Sequence, residues 1–196
     1  MIKCFVFDLG GVVVNYKNEY YFEYLSRICG RSKTEIDFIL TPMIFRFETG
    51  AIGEGRFELE VSKALSIKRS NVGWVDFYKQ KSTINKGVLE LIKELHKWYT
   101  TAFLSNVDKS RYLLTMRRID TSIFDYRFGS CYLNLYKPHA AIYKFVLTRM
   151  GFRPEETVFI DDRKDNVYGA RCVGMHAIRF TGLKDVRTRI NALIGR

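Results

Sequence analysis

Long apolar runs, paired cysteines and clustered histidines are all missing from this 196-residue chain. The first absence excludes a transmembrane helix, which needs about 20 mostly apolar residues in a row. The N-terminus also lacks the layout of a signal peptide, since Asp8 follows closely on "CFVF". A cytoplasmic protein with no membrane partner is therefore expected. Cysteine is scarce: Cys4, Cys29, Cys131 and Cys172 are dispersed, and none stands in a C-x-x-C pair. That argues against a zinc ribbon and a disulfide framework, and reduced, mostly buried thiols are expected. His96, His139 and His176 have no metal-ligand spacing and read as surface or satisfied histidines. Strand signals are missing from the whole stretch between Lys17 and Ser82.

What the chain does have is positive charge and apolar bulk. The formal net charge is +11, yet the cations are not clustered: they recur at positions such as Lys63, Lys68, Arg69, Lys79, Lys97, Arg117, Arg118, Arg149 and Arg187, interleaved with acids and apolar residues. Such spacing describes a solvated basic surface rather than a patch that displaces phosphate counterions, so no nucleic-acid partner is expected. The same field attracts small anions. With 47% hydrophobic residues the chain can bury one sizeable core and carry a small second module, as a monomer or homodimer.

Periodicity gives the fold class. Residues 2–8 form a continuous apolar run ending on Asp8, which suits a parallel strand covered on both faces. From Lys17 the pattern turns helical, through "NEYYFEYLSRIC", "SKTEIDFIL" with Ser32 as N-cap, "RFELEVSKAL" and "NVGWVDFYKQ". The glycines of "ETGAIGEGRF" suggest a mobile loop between two of these helices. The aromatics of this block, Tyr20, Tyr21, Phe22, Tyr24, Phe45, Phe47, Phe57, Trp74 and Phe77, read as its own core. After residue 83, strands such as "TAFLSN", "ETVFIDD" and "MHAIRF" alternate with helices such as "KGVLELIKELHKW" and "AAIYKFVLTRMG". Alternation of this kind predicts an α/β fold with a doubly wound, Rossmann-like parallel sheet. Its core takes residues 1–15 and 83–196, and residues 16–82 form a helical cap inserted after the first strand.

The strand ends carry the chemistry. Asp8, then Ser105 and Asn106, then Asp161 and Asp162 close three separate apolar runs, and ligands of such sheets sit at that rim. Lys137 in "LYKPH" can reach the same place, with Pro138 favouring the start of a helix. Ser105 and Asn106 also suit capping of a helix beginning near Asp108, and Asp165 and Asn166 suit capping of the next one. Carboxylates converging on one point repel each other unless a cation sits among them, and hard oxygen ligands suit Mg2+. Phosphoryl transfer follows, with a carboxylate attacking phosphorus while the metal, Lys137 and Ser105 neutralise the equatorial oxygens.

Four fragments, "FVFDLGGVVV", "LSN", "YKP" and "VFIDDRKDNVYGA", stand in the order of the four motifs of the haloacid dehalogenase superfamily, and the chain resembles its helical-cap phosphatases along nearly its whole length. The resemblance implies that Asp8 is nucleophile and metal ligand and that the Gly10 carbonyl is a further ligand. It implies that Ser105, Asn106 and Lys137 bind and stabilise the phosphoryl group, with Gly10 and Gly11 against the substrate. Asp162 would bind magnesium with Asp161 assisting, and Asn166 would support the site. The implied substrate is a small phosphorylated metabolite. One position departs from the pattern: most phosphatases of the family have a second Asp two residues after the nucleophile, as general acid and base, where this chain has Gly10.

Three explanations of Gly10 stand open. Glu48 or Glu54 substitutes from the cap, the substrate has a good leaving group such as an anomeric sugar oxygen, or the chain is a weak enzyme. "FDLG" resembles the start of some sugar-1-phosphate phosphatases, which favours the second. Two other functions compete: a metal-independent 2-haloacid dehalogenase, against which the paired Asp161 and Asp162 argue, and a catalytically weak binding protein on the same fold.

Overall fold

The computed structural model describes residues 1–195. Its centre is β1 (Cys4–Phe7), flanked in parallel by β4 (Thr100–Ser105) and β6 (Thr157–Asp161), with β5 (Tyr126–Gly129) and β7 (His176–Arg179) at the edges. The order is β5-β4-β1-β6-β7. All four residues of β1 are buried, as a strand covered on both faces must be. Alternate side chains go to opposite layers: Phe5 and Phe7 join one apolar cluster, Cys4 and Val6 the other.

Two helices cover each face. On the Phe5 side lie α5 (Lys86–His96) and α10 (Leu183–Ile194), which contribute Val88, Leu91, Ile92, Val186 and Ile190. On the Cys4 side lie α8 (Ala140–Met150) and α9 (Lys164–Cys172), with Ile142, Tyr143, Val146, Val167 and Ala170. Gly151 closes α8 in the left-handed region with φ 74°, as its place in "TRMG" predicts. The short edge strand β5, which runs directly into the single turn of α7 (Ser130–Leu133), is not anticipated, because "YRFG" has neither a continuous apolar run nor clean alternation.

Between β2 (Val14–Asn15) and β3 (Thr83–Ile84), an antiparallel pair two residues long, the chain makes the helical insert. It holds α1 (Asn18–Cys29), α2 (Lys33–Glu48), α3 (Glu54–Leu65) and α4 (Trp74–Lys81). Ser32 caps α2 in a reciprocal capping box with Glu35. This helix runs past the expected end at Leu40 and through Pro42, because Ile36, Leu40, Ile44 and Phe47 keep an apolar face buried at helical spacing. The glycine-rich stretch is correspondingly shorter than expected: only residues 49–53 lie between helices, and Gly55 is inside α3. Tyr21, Phe22, Phe47, Phe57, Trp74 and Phe77 form the insert's core as read from sequence, whereas Tyr20 and Phe45 are exposed. These core residues belong to the same apolar cluster as Phe5 and Phe7, so insert and sheet share one interior.

The expectation of mostly buried thiols is corrected, since Cys4 alone is buried, Cys29 and Cys131 are half-buried and Cys172 is exposed. Among the described residues no helix is long and apolar enough to cross a membrane.

Candidate active site

Asp8 is the first residue past β1, at the centre of the sheet's carboxyl edge. Its N–H donates to the Ile160 carbonyl at 2.8 Å, so the ladder with β6 fixes its backbone. Its carboxylate accepts from the Leu9 N–H through Oδ1 at 2.7 Å. Lys137 meets it there with Nζ 2.9 Å from the same oxygen.

Lys137 is only 1% exposed, and its three ammonium donors are all used. Besides Asp8 they reach Asp161 Oδ2 at 2.7 Å and the Leu104 carbonyl at 2.8 Å. Lys137 is therefore not a solvated surface lysine. Its backbone is held as firmly: Lys137 N donates to Asn106 Oδ1 and Asn106 Nδ2 donates to the Lys137 carbonyl, both at 2.9 Å. Pro138 stands ahead of α8 rather than in its first turn, for His139 is the N-cap, and the Lys137–Pro138 peptide is cis.

The two acids after β6 differ in their commitments. Asp161, fully buried, accepts from Lys137 Nζ and Asn166 Nδ2 through Oδ2 and from the Arg163 N–H through Oδ1. Both of its oxygens are engaged by protein donors. Asp162 is half-buried, and among the described residues only its own backbone N–H is directed at its carboxylate. It rests against the Cα of Gly11, where a Cβ would fall inside the carboxylate, and Gly11 has φ +74°. A glycine is required there twice over, for the close approach and for the left-handed backbone.

One oxygen each of Asp8, Asp161 and Asp162 lies within 4.8 Å of the other two. Against these three carboxyls stands one ammonium, and burial together with the excess negative charge raises Asp8 and Asp162. Burial, opposed by Lys137 and reinforced by Asp161 and Asp162, pushes the Asp8 carboxyl up to about 8. Asp162 is raised by burial and by Asp161. Lys137 is raised as well: burial works against its charge, but Asp161 and Asp8 outweigh it. A hard divalent cation fits this donor set, because it neutralises the surplus charge and finds oxygens with spare lone pairs on Asp8 and Asp162. The Gly10 carbonyl, which accepts no hydrogen bond among the described residues, is a third available oxygen.

Of the other expected site residues, Ser105 is buried at the end of β4 and its hydroxyl has no partner among the described residues. The Asn106 side chain is spent on Lys137, so it is not offered to a phosphoryl group; its backbone N–H is without an acceptor among the described residues. Neither residue caps a helix. That role belongs to Asp108, which accepts from the Arg111 N–H at the start of α6 (Lys109–Met116). Asp165 and Asn166 likewise lie inside α9, and Asn166 serves Asp161 instead.

Both candidate replacement acids are engaged elsewhere. Glu48, at the end of α2, accepts from Arg111 Nη2 at 2.5 Å and from the Tyr136 hydroxyl at 2.7 Å. Glu54 accepts from the Ser110 hydroxyl on α6. Gly10 itself has open space: a Cβ there meets nothing within 4 Å. Sequence reading passes over Arg111 and Tyr136. A lone Arg in the apolar stretch "RYLLTM" is the one available hint, since Arg111 is 4% exposed and pairs with both Asp108 and Glu48.

Comparison with known proteins places these residues in context. The family model described as haloacid dehalogenase-like hydrolase matches residues 2–174. Drimenol cyclase DrtB of Aspergillus calidoustus is 24% identical over 201 residues, 100% of this chain and 37% of that protein, so the chain spans little more than a third of this relative. The D-ribitol-5-phosphate phosphatase of Bacteroides thetaiotaomicron is 22% identical over 207 residues, 99% of each chain. A crystal structure of a haloacid dehalogenase family enzyme from the same organism, with magnesium and inorganic phosphate, has a TM-score of 0.77 at 24% identity. It covers 91% of this chain and 94% of that one, a likeness of fold.

Proposed function

We propose that this chain, which belongs to the haloacid dehalogenase-like hydrolases, is a magnesium-dependent phosphomonoesterase that works through a phosphorylated Asp8. The observation that carries the reading is the Lys137 ammonium, buried between Asp8 and Asp161 beside a carboxylate, Asp162, to which no other described residue donates a hydrogen bond. Asp8 and Asp162, with the Gly10 carbonyl, would hold the ion, which when bound supplies positive charge to the phosphoryl oxygens. Asp161 would assist by holding Lys137 and Asn166 in place.

Asp8 Oδ1 is anchored by Leu9 and Lys137, which leaves Oδ2 as the attacking atom. The Asp8–phosphorus bond forms as the bond to the leaving oxygen breaks, and that oxygen takes its proton from solvent because position 10 carries no acid. Water then attacks phosphorus, releasing inorganic phosphate and restoring Asp8. Lys137 and the Ser105 hydroxyl stabilise charge on the transferring group. The residues 16–82 act as a cap that sets specificity. A small phosphorylated metabolite is the substrate class, and the ribitol phosphate handled by the similar Bacteroides enzyme favours a sugar or polyol phosphate.

The test is phosphate release from a chromogenic aryl phosphate, with magnesium and with chelator, for wild type and Asp8→Asn. An aryl oxygen leaves without much acid help, so Gly10 does not mask activity. Release that needs both magnesium and Asp8 is the expected result. Release that survives chelation or the Asp8→Asn change would refute the reading.

A further inference from the structure

Glu48 joins three parts of the molecule that sequence keeps far apart. It sits in the last turn of α2, is 4% exposed, and gives its two carboxylate oxygens to different partners. One accepts from Arg111 of α6, whose guanidinium also pairs with Asp108 and lies 4.4 Å from the Trp74 ring centre. The other accepts from the hydroxyl of Tyr136, the residue immediately before Lys137. The Glu48 carbonyl accepts from the Ser130 hydroxyl, whose oxygen in turn receives the Val107 N–H at 2.9 Å.

Both segments that handle the phosphoryl group, residues 105–107 and 136–137, are therefore tied to this one residue of the insert. They are tied to each other by the paired hydrogen bonds of Asn106 and Lys137. Holding the insert on the sheet does not need this arrangement. Other contacts do that, including Tyr78 with Thr115 at 2.9 Å, Arg118 with Ser82 at 2.7 Å, and Glu54 with Ser110. What the Glu48–Tyr136 bond adds is a hold on Tyr136, which one peptide bond joins to Lys137. The Phe45 ring, 5.0 Å from that of Tyr136 and edge-on to it, braces it from the same helix.

We infer that Glu48 is a positioning residue: acting through the Tyr136 hydroxyl, it sets the place of the Lys137 ammonium between Asp8 and Asp161. This rests on the phosphatase reading for its catalytic consequence. A buried carboxylate with one oxygen on Arg111 and the other on Tyr136 cannot shift without breaking a hydrogen bond in low dielectric, so it transmits the insert's position rigidly. Misplacement of a catalytic group by about 1 Å can cost on the order of 100-fold in rate.

Tyr136→Phe is the direct test, because it removes one hydroxyl and keeps the Glu48–Arg111 pair. With the aryl phosphate, kcat is expected to fall about 10- to 100-fold while KM changes little and the melting temperature stays near wild type. Glu48→Gln should lower kcat in the same way. A second readout does not depend on turnover. The proton–nitrogen resonance of the Lys137 ammonium, identified by its loss in Lys137→Arg, should broaden or shift in Tyr136→Phe as the group loses its fixed position. Wild-type kcat together with an unchanged ammonium resonance in Tyr136→Phe would overturn the inference. An inactive wild type with a displaced resonance in the variant would instead sink the phosphatase reading and leave the positioning role standing.

Discussion

Gly11 and Asp162 touch across the rim of the sheet, with the carboxylate lying where any Cβ at position 11 would have to be. Gly11→Ala therefore displaces the one acid of the site to which no other described residue donates, and strains a backbone at φ +74° as well. We expect magnesium affinity to weaken by at least about tenfold, measured by calorimetry on the folded variant, with a smaller loss of melting temperature. Unchanged magnesium affinity would remove Asp162 from the ligand set.

Lys137→Ala takes away the ammonium that three acceptors share and leaves Asp8 and Asp161 facing each other buried. Breaking a buried pair from one side typically costs about 3–5 kcal/mol. The variant should unfold at clearly lower denaturant, and in its folded form kcat should fall while KM rises, as expected when charge is lost in ground and transition states alike. A variant as stable and as active as wild type would contradict the assignment.

Stability should depend on pH in a direction set by Asp8. Its carboxyl ionises near the usual 3.8 in the unfolded chain but is pushed up to about 8 in the metal-free fold, chiefly by burial. Between those values the native state holds a proton that the unfolded state has lost. The contribution is thus fully present below about 4 and is lost as pH rises through about 8. Asp162, raised as well, acts in the same sense. In chelator the melting temperature should fall relative to Asp8→Asn as pH rises from about one unit above the lower value to about one unit above the upper. Magnesium should stabilise more at the alkaline end, where it does not compete with the proton. A wild-type profile parallel to that of Asp8→Asn would show that Asp8 is not the group responsible.

Gly10→Asp can be accommodated, because a Cβ at position 10 meets no atom within 4 Å. If the missing acid limits turnover, the new carboxyl should speed alkyl phosphates by about 100-fold or more and aryl phosphates much less. Equal effects on both would mean that leaving-group protonation is not what position 10 supplies.

The sheet and the acids on it are legible in sequence because β1, β4 and β6 are buried on both faces, and such strands must be continuous apolar runs that stop where the polar rim begins. Asp8, Asp161 and Asp162 can be found in that way, whereas Lys137, in a loop before α8, is singled out only by its place in the order of a family pattern. Asn106 could be found but its task could not, since nothing local tells whether an amide faces a ligand or, as here, the backbone of a residue 31 positions on. The Glu48 cluster is legible least of all. Its members come from α2, α6 and the segment before α8, and a buried ion pair leaves no periodic trace when each charge interrupts its own helix only once. The missed length of α2 has the same origin: Pro42 marks a local stop that packing of Ile44 and Phe47 overrides.

The central claim is that Asp8 itself carries the phosphoryl group. Wild type and Asp8→Asn would be mixed with aryl phosphate and magnesium, quenched in acid within the first turnovers, digested and weighed by mass spectrometry. The account predicts one added phosphoryl mass on the peptide containing Asp8, in wild type alone. Phosphate release without any adduct at Asp8, continuing at the wild-type rate in Asp8→Asn, would contradict it.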